Sequence, residues 1–166
     1  MRLFRTLMGL CLVVVAVFCV GVSASYAASS AAIRAFDDVE AAAKDYSGQS
    51  LVASEFGDAN LTGANFSQAD LRGAVFNGAR LSQANLHGVD FSDGIAYITD
   101  FAGADLTDAV LTSAMLLKSN FKNAAVTGAD FTDAALDRAQ VLELRKTASG
   151  TNPLTGAETR DSLGCR

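Results

Sequence analysis

Residues 59–71 read ANLTG-ANFSQ-ADL, and this five-residue rhythm continues over most of the chain. Nineteen residues spaced five apart, from Leu51 to Val141, are apolar, and Ala96 is the only small one among them. Over seventeen consecutive steps the residue two places earlier is Ala thirteen times. A period of five fits neither an α-helix nor a β-strand. The sequence therefore predicts a solenoid in which each unit turns two residues inward, a large centre residue and a small one.

The remaining positions of each unit have the composition of turns. Glycine recurs two places after the centre residue, at positions 63, 73, 78, 88, 103 and 128, as a type II turn with positive φ requires. The small inward position has four exceptions to alanine, which are Val89, Gly94, Thr99 and Ser119.

The units have the form A-(D/N)-(L/F)-x-x, as in Ala59-Asn60-Leu61 and Ala104-Asp105-Leu106. They resemble the pentapeptide-repeat family over residues 46–143. The resemblance implies an all-β solenoid, a right-handed quadrilateral β-helix with four units per coil and about five coils. It also implies a binding module rather than an enzyme.

The segments outside the repeats suggest an export signal and two helical caps. Arg2 and Arg5, an apolar run from Leu7 to Val22 and the small residues before position 28 are typical of a signal peptide, the alternative being an uncleaved anchor. The cap helices are predicted from Ile33, Phe36 and Val39 on one face, and from a glycine-free stretch, 134–146, in which Val141, Leu142 and Leu144 pack down. The predicted domains are a signal peptide (1–27), an N-terminal capping helix (28–45), the β-helix (46–143) and a C-terminal helical tail (144–166).

The tail indicates where the protein acts. Residues 150–156, GTNPLTG, and 159–165, TRDSLGC, resemble the tail of thylakoid-lumen pentapeptide-repeat proteins. The resemblance implies the thylakoid lumen of a cyanobacterium, with the periplasm as the alternative, because both use the same export signal. It also implies a tail disulfide, but no cysteine stands near the end of the repeats, so Cys165 would be the single thiol of the processed chain.

Charge and composition argue against most chemistry. The chain has 13 basic and 18 acidic residues, and removal of residues 1–27 takes away two arginines and no acid. An acidic rod does not bind nucleic-acid phosphates, and membrane contact is expected only through the signal peptide before cleavage. His87 is the single histidine and there is no Cys-x-x-Cys motif, so we predict no catalytic residue, no cofactor and no metal site.

Two alternatives use the acidic character of the rod. Some cytosolic members of the family act as acidic DNA mimics that inhibit topoisomerases, which the resemblance keeps open. The second is a cation-binding face in a periplasmic structural protein, because like charges stacked one coil apart would repel. The carboxylates of that face are Asp70, Asp90, Asp93, Asp130 and Asp133.

One wall of the predicted β-helix is apolar on its outside. When residues are sorted by a twenty-residue coil, the wall built on Phe56, Phe76, Ala96, Leu116 and Leu136 presents six apolar side chains outward. They are Val75, Ile95, Tyr97, Ile98, Met115 and Leu117. Contiguous exposed apolar surface usually marks an interaction site. The sequence therefore predicts a docking face for a protein partner, for self-association or for a membrane-adjacent surface, unless a register slip at 94–98 turns Ile95, Tyr97 or Ile98 inward.

Overall fold

The computed structural model describes residues 44–164. The predicted signal peptide, Cys165 and residues 28–43 of the predicted N-terminal helix lie outside this range. The remaining part of that helix is not helical, because Asp45 already pairs with Asn65 in the first coil.

The chain is a four-walled solenoid. Parallel bridges join residues twenty apart, beginning with Asp45 and Asn65 and ending with Met115 and Ala135, so four five-residue units make one coil. In the units from Tyr46 to Leu116 the centre residue donates its N–H to the coil that follows, as from Phe66 to the Asn85 carbonyl at 2.7 Å. The small residue then closes the turn, as Ala69 does by donating to the Phe66 carbonyl at 2.9 Å. The hydrogen-bonding groups of the backbone are thus satisfied by the stacking of coils rather than by long strands.

Every unit turns through a residue with positive φ. The glycines predicted for this role at 63, 73, 78, 88, 103 and 128 all have it. Eleven residues other than glycine adopt the same conformation, and they are Ala53, Asp58, Gln68, Gln83, Asp93, Ile98, Asp108, Ser113, Lys118, Asn123 and Asp133. The turn geometry is therefore imposed by the stacking of coils, whichever residue stands there.

The core is a column of rings and leucines. Phe56 and Phe76 stack with centroids 4.7 Å apart, and Phe66 meets both edge-on at 5.7 Å. Tyr46 stacks on Phe66 at 4.7 Å, so the column begins one unit before Leu51. This arrangement uses the favoured stacked and edge-to-face geometries of aromatic pairs.

The repeats end earlier than the spacing predicts. Helix α1, Arg138–Leu144, begins inside the predicted β-helix, so Ala139 and Val141 are not inward repeat positions. Asp137 caps it: its side chain accepts from the Gln140 N–H, and its own N–H donates to the Gln140 side chain. Leu144 packs into the core as predicted, but Leu142 is 51% exposed, because the face of α1 that turns inward carries Gln140.

The segment after α1 covers the last coil. It contains helix α2, Thr159–Ser162, and adds Ala148 and Leu163 to the core. Gly128 donates to the Ser149 carbonyl at 2.8 Å and Phe131 donates to the Ser162 hydroxyl at 3.0 Å, in place of a further coil. Within 44–164, no helix has the length and apolar character needed to cross a membrane.

Candidate functional site

All six residues of the predicted apolar face lie on one side of the solenoid. Val75, Ile95 and Met115 pair in successive coils along the middle of the wall. Tyr97, Ile98 and Leu117 form the adjoining turns, where Ile98 donates its N–H to the Leu117 carbonyl at 3.2 Å. Ile98 is 55% and Met115 is 44% exposed, and the other four are half-buried. The six are hereafter called the apolar face.

The register is kept through residues 94–98. Ile95 donates to the Ala74 carbonyl at 2.9 Å and Ala96 donates to the Met115 carbonyl at 2.8 Å, as their position in the coil requires. Ala96 is fully buried. The structure therefore has no register slip, and Ile95, Tyr97 and Ile98 face outward.

The unit 94–98, which has the small residues Gly94 and Ala96 at its inward positions, makes one close contact inside the solenoid. The Phe91 ring lies over Gly94, so close that a β-carbon added at Gly94 would be 2.3 Å from the ring. An apolar void of about 10 Å³ remains nearby, lined in part by Phe76, Phe91 and Phe101. The position of the Phe91 ring thus requires glycine at residue 94.

A buried polar ladder lies beneath the exposed turns of the apolar face. Thr99 donates its hydroxyl to the Phe76 carbonyl at 2.7 Å and its N–H to the Ser119 hydroxyl at 2.8 Å. Ser119 in turn donates to the Ala96 carbonyl, and Gln140 of α1 donates to the Leu116 and Ser119 carbonyls at 2.6 and 2.8 Å. Sequence reasoning missed this ladder, although Thr99 and Ser119 were visible as exceptions to the alanine rule.

Ile98 is the most unusual residue of the apolar face. Its φ is +56°, a conformation that β-branched residues rarely adopt because the side chain collides with the backbone. Its side chain is also more than half exposed to water. The positive φ belongs to the turn that every unit makes, so the unusual feature is that an exposed isoleucine, rather than a glycine or a polar residue, stands there.

The border of the apolar face is polar and has two signs of charge. On one side the Lys118 ammonium lies 5.3 Å from the centre of the Tyr97 ring, a cation–π distance, and contact with the Tyr97 hydroxyl raises the pKa of Lys118. On the other side, Glu55 and Asp58 border a shallow depression of about 530 Å³. The floor and walls of this depression are formed by Gly57, Val75, Asn77, Gly78, Tyr97 and Ile98.

The stacked carboxylates of the neighbouring wall are held by protein groups. Asp70 pairs with Asp90 in the next coil, and Arg72 binds Asp70 at 2.7 Å and lies 3.9 Å from Asp90. The hydrogen bond from Arg72 lowers the pKa of Asp70. Asp90 and Asp130 each accept hydrogen bonds from the N–H and hydroxyl two residues later. Across residues 44–164 no group of three or more His, Cys, Asp or Glu side chains is placed to hold a metal ion.

Comparison with known proteins supports the fold. The family described as Pentapeptide repeats matches residues 54–93 and 99–139 in eight copies, and the break between the two stretches is the unit 94–98. No curated protein matches the chain.

Three solved structures illustrate the likeness. A pentapeptide repeat protein of the Arabidopsis thaliana thylakoid lumen is 35% identical, covering 74% of this chain and 88% of its own, with a TM-score of 0.47. A Nostoc pentapeptide repeat protein is 26% identical, covering 65% and 84%, with a TM-score of 0.34. A plasmid-mediated fluoroquinolone resistance protein is 19% identical, covering 64% and 84%, with a TM-score of 0.29. From the repeat match and the 35% identity, the chain belongs to the pentapeptide-repeat family.

Proposed function

We propose that this chain is a non-enzymatic interaction module that docks another protein on its apolar face. The observation that carries the proposal is the unit 94–98, which is small inside, apolar outside and strained at Ile98. A unit that departs from its repeat at a cost in stability, both inside and outside, is best explained by selection for what it binds.

We further propose that the protein works after export, in the thylakoid lumen. Support comes from the signal-like N-terminus and from the tail segments 150–156 and 159–165. Separation of host cells into lumenal, periplasmic and cytosolic fractions tests this part on its own. Recovery in the cytosol would reject it without touching the docking proposal.

Photocrosslinking in the host tests the docking proposal. A photoreactive residue replaces Tyr97, and a matched control replaces Thr107, which stands at the same turn position half a coil away on the opposite side. Both native residues are half-buried, so the probes sample equally accessible sites. Crosslinks are expected from position 97 and not from 107. Equal yields from both positions, or none from 97 in a folded protein, would contradict the proposal.

A further inference from the structure

The apolar face carries both a projection and a depression, and it carries both signs of charge at their edges. Tyr97 and Ile98 project from one turn, whereas the turns one and two coils earlier contain Gly78 and Gly57, and the Asp58 side chain lies over Gly78. Lys118 lies one coil beyond the projection and Asp58 lies at the far edge of the depression. A surface with these four features in a row is complementary to itself.

We propose that the occupant of the apolar face is a second copy of this chain, packed antiparallel across a two-fold axis. The proposal rests on the docking function above and names its partner. The axis lies in the plane of the wall, perpendicular to the rod, between the coil of Gly78 and the coil of Ile98. An interface of this kind is isologous, so each contact occurs twice.

The coil spacing decides which residues meet. The turns Asp58, Gly78, Ile98 and Lys118 follow one another at about 4.8 Å per coil, the distance between neighbouring strands. Rotation about the stated axis sets Tyr97 and Ile98 against Gly78 of the second copy, and therefore into its depression. It also sets Val75 against Ile95 of the second copy in the middle of the wall.

Shape and charge together favour this register. With the axis between the two coils, each Asp58 faces Lys118 of the second copy, which gives two opposite-charge pairs at the rim. Moving the axis to the coil of Ile98 would set Asp58 against Arg138, the first residue of α1, but it would also set Ile98 against itself and leave the depression unfilled. A parallel arrangement would set Ile98 against Asp93. Rim charges contribute little affinity, but they select register and orientation, because like charges and buried acids are penalised.

Charge reversal in solution tests the proposal. The full-length gene is expressed in an exporting bacterial host, and the molecular mass of the purified product is measured by sedimentation over a range of concentrations. We expect a monomer–dimer equilibrium. Asp58→Lys and Lys118→Asp are each expected to raise the dimer dissociation constant about tenfold, and the double variant is expected to restore it.

The substitutions suit their positions. Asp58 and Lys118 have φ of +58° and +61°, so each accepts the residue that the other already accommodates. Lys122→Asp changes the charge by the same amount at an exposed site of the following unit, and it is expected to leave the dimer unchanged. Circular dichroism confirms that each variant is folded.

Two results would overturn the proposal. One is a folded wild-type protein that stays monomeric at all concentrations. The other is a dimer whose dissociation constant is unchanged by Asp58→Lys and by Lys118→Asp. A monomer whose position 97 still crosslinks to a different protein would overturn the second-copy proposal and leave the docking function standing. A monomer that yields no crosslink from position 97 would overturn both.

Discussion

Ile98 occupies a turn position at which every other residue in this conformation is glycine, alanine or polar. The left-handed conformation costs an L-residue roughly 1–2 kcal/mol, and asparagine tolerates it better because its short side chain bonds locally. We therefore expect Ile98→Asn to raise the free energy of unfolding by about 1 kcal/mol, measured in urea.

Asn123 provides the reciprocal control for that measurement. It is exposed and has φ of +60°, so Asn123→Ile introduces the same strain on another wall. Its free energy of unfolding is expected to fall by a similar amount. If Ile98→Asn were destabilising while Asn123→Ile was neutral, the idea that Ile98 is strained would be wrong.

Gly94 is expected to tolerate no side chain while Phe91 is present. Gly94→Ala places a β-carbon against the Phe91 ring, and overpacking of this kind typically costs 1–3 kcal/mol, about the range we expect. Phe91→Leu replaces the ring by a smaller side chain, so the double variant should recover part of the stability that Gly94→Ala loses. Thermal unfolding of the four proteins of this cycle gives the coupling energy, and strict additivity would show that the two residues do not clash.

The inward positions of the repeats were predictable, because a five-residue period leaves only two inward places per unit, but Asp130, predicted to face outward, is 2% exposed. The close packing at residues 91–96 was not predictable. The repeat pattern shows that Ala96 is smaller than the other centre residues, but it carries no information on how the neighbouring rings pack. The packing of Phe91 on Gly94 depends on side-chain torsions, which spacing does not encode.

At the scale of elements, α1 is joined to the solenoid through the polar ladder. Gln140→Leu keeps the volume but removes the donors to the Leu116 and Ser119 carbonyls. Buried carbonyls without partners cost about 1–3 kcal/mol, and α1 also loses its capping box. We expect lower stability in urea and faster amide exchange in α1. Arg138→Leu, an exposed change in the same helix, is the control and should leave both unchanged.

The pair Asp70–Arg72 predicts a pH dependence with a definite sign. The pKa of Asp70 is lowered in the folded state, chiefly by the hydrogen bond from Arg72. Its contribution to the free energy of unfolding is therefore complete above the ordinary aspartate pKa of about 3.9. This contribution is lost as the pH falls through the pKa of Asp70 in the folded state. The melting temperature of Arg72→Gln should lie below that of the wild type at pH 7, and the two melting temperatures should be equal at strongly acid pH. A constant difference at all pH values would assign the effect to something other than Asp70.

The end of the repeats shows why element boundaries were predicted less well. Leu136 and Val141 continue the five-residue spacing, so the pattern alone extends the β-helix to 143. The chain leaves the coil at Asp137 because its carboxylate and Gln140 form a capping box. That signal was present in the sequence, yet it competes with a longer-range pattern, and only the packing of Gln140 on the coil decides between them.

At the scale of the whole molecule, the column and the apolar face are expected to respond separately to substitution. Phe66→Ala removes a ring that contacts Tyr46, Phe56 and Phe76, and should lower the free energy of unfolding by about 3–5 kcal/mol. Tyr97→Asp combined with Ile98→Asp should leave the thermal midpoint nearly unchanged while abolishing association. Unfolding of the double variant would show that these side chains support the core.

The twenty-residue coil has a consequence for changes in chain length. A deletion of one five-residue unit between Ile98 and Met115 would keep every inward residue inward, but it would carry Met115 and Leu117 a quarter turn around the rod to the neighbouring wall. An insertion of twenty residues at the same place would instead leave them on the same wall, one coil farther along the rod. Insertions and deletions in this protein therefore act as rotations, and a binding surface assembled from several coils survives only those that complete a full turn.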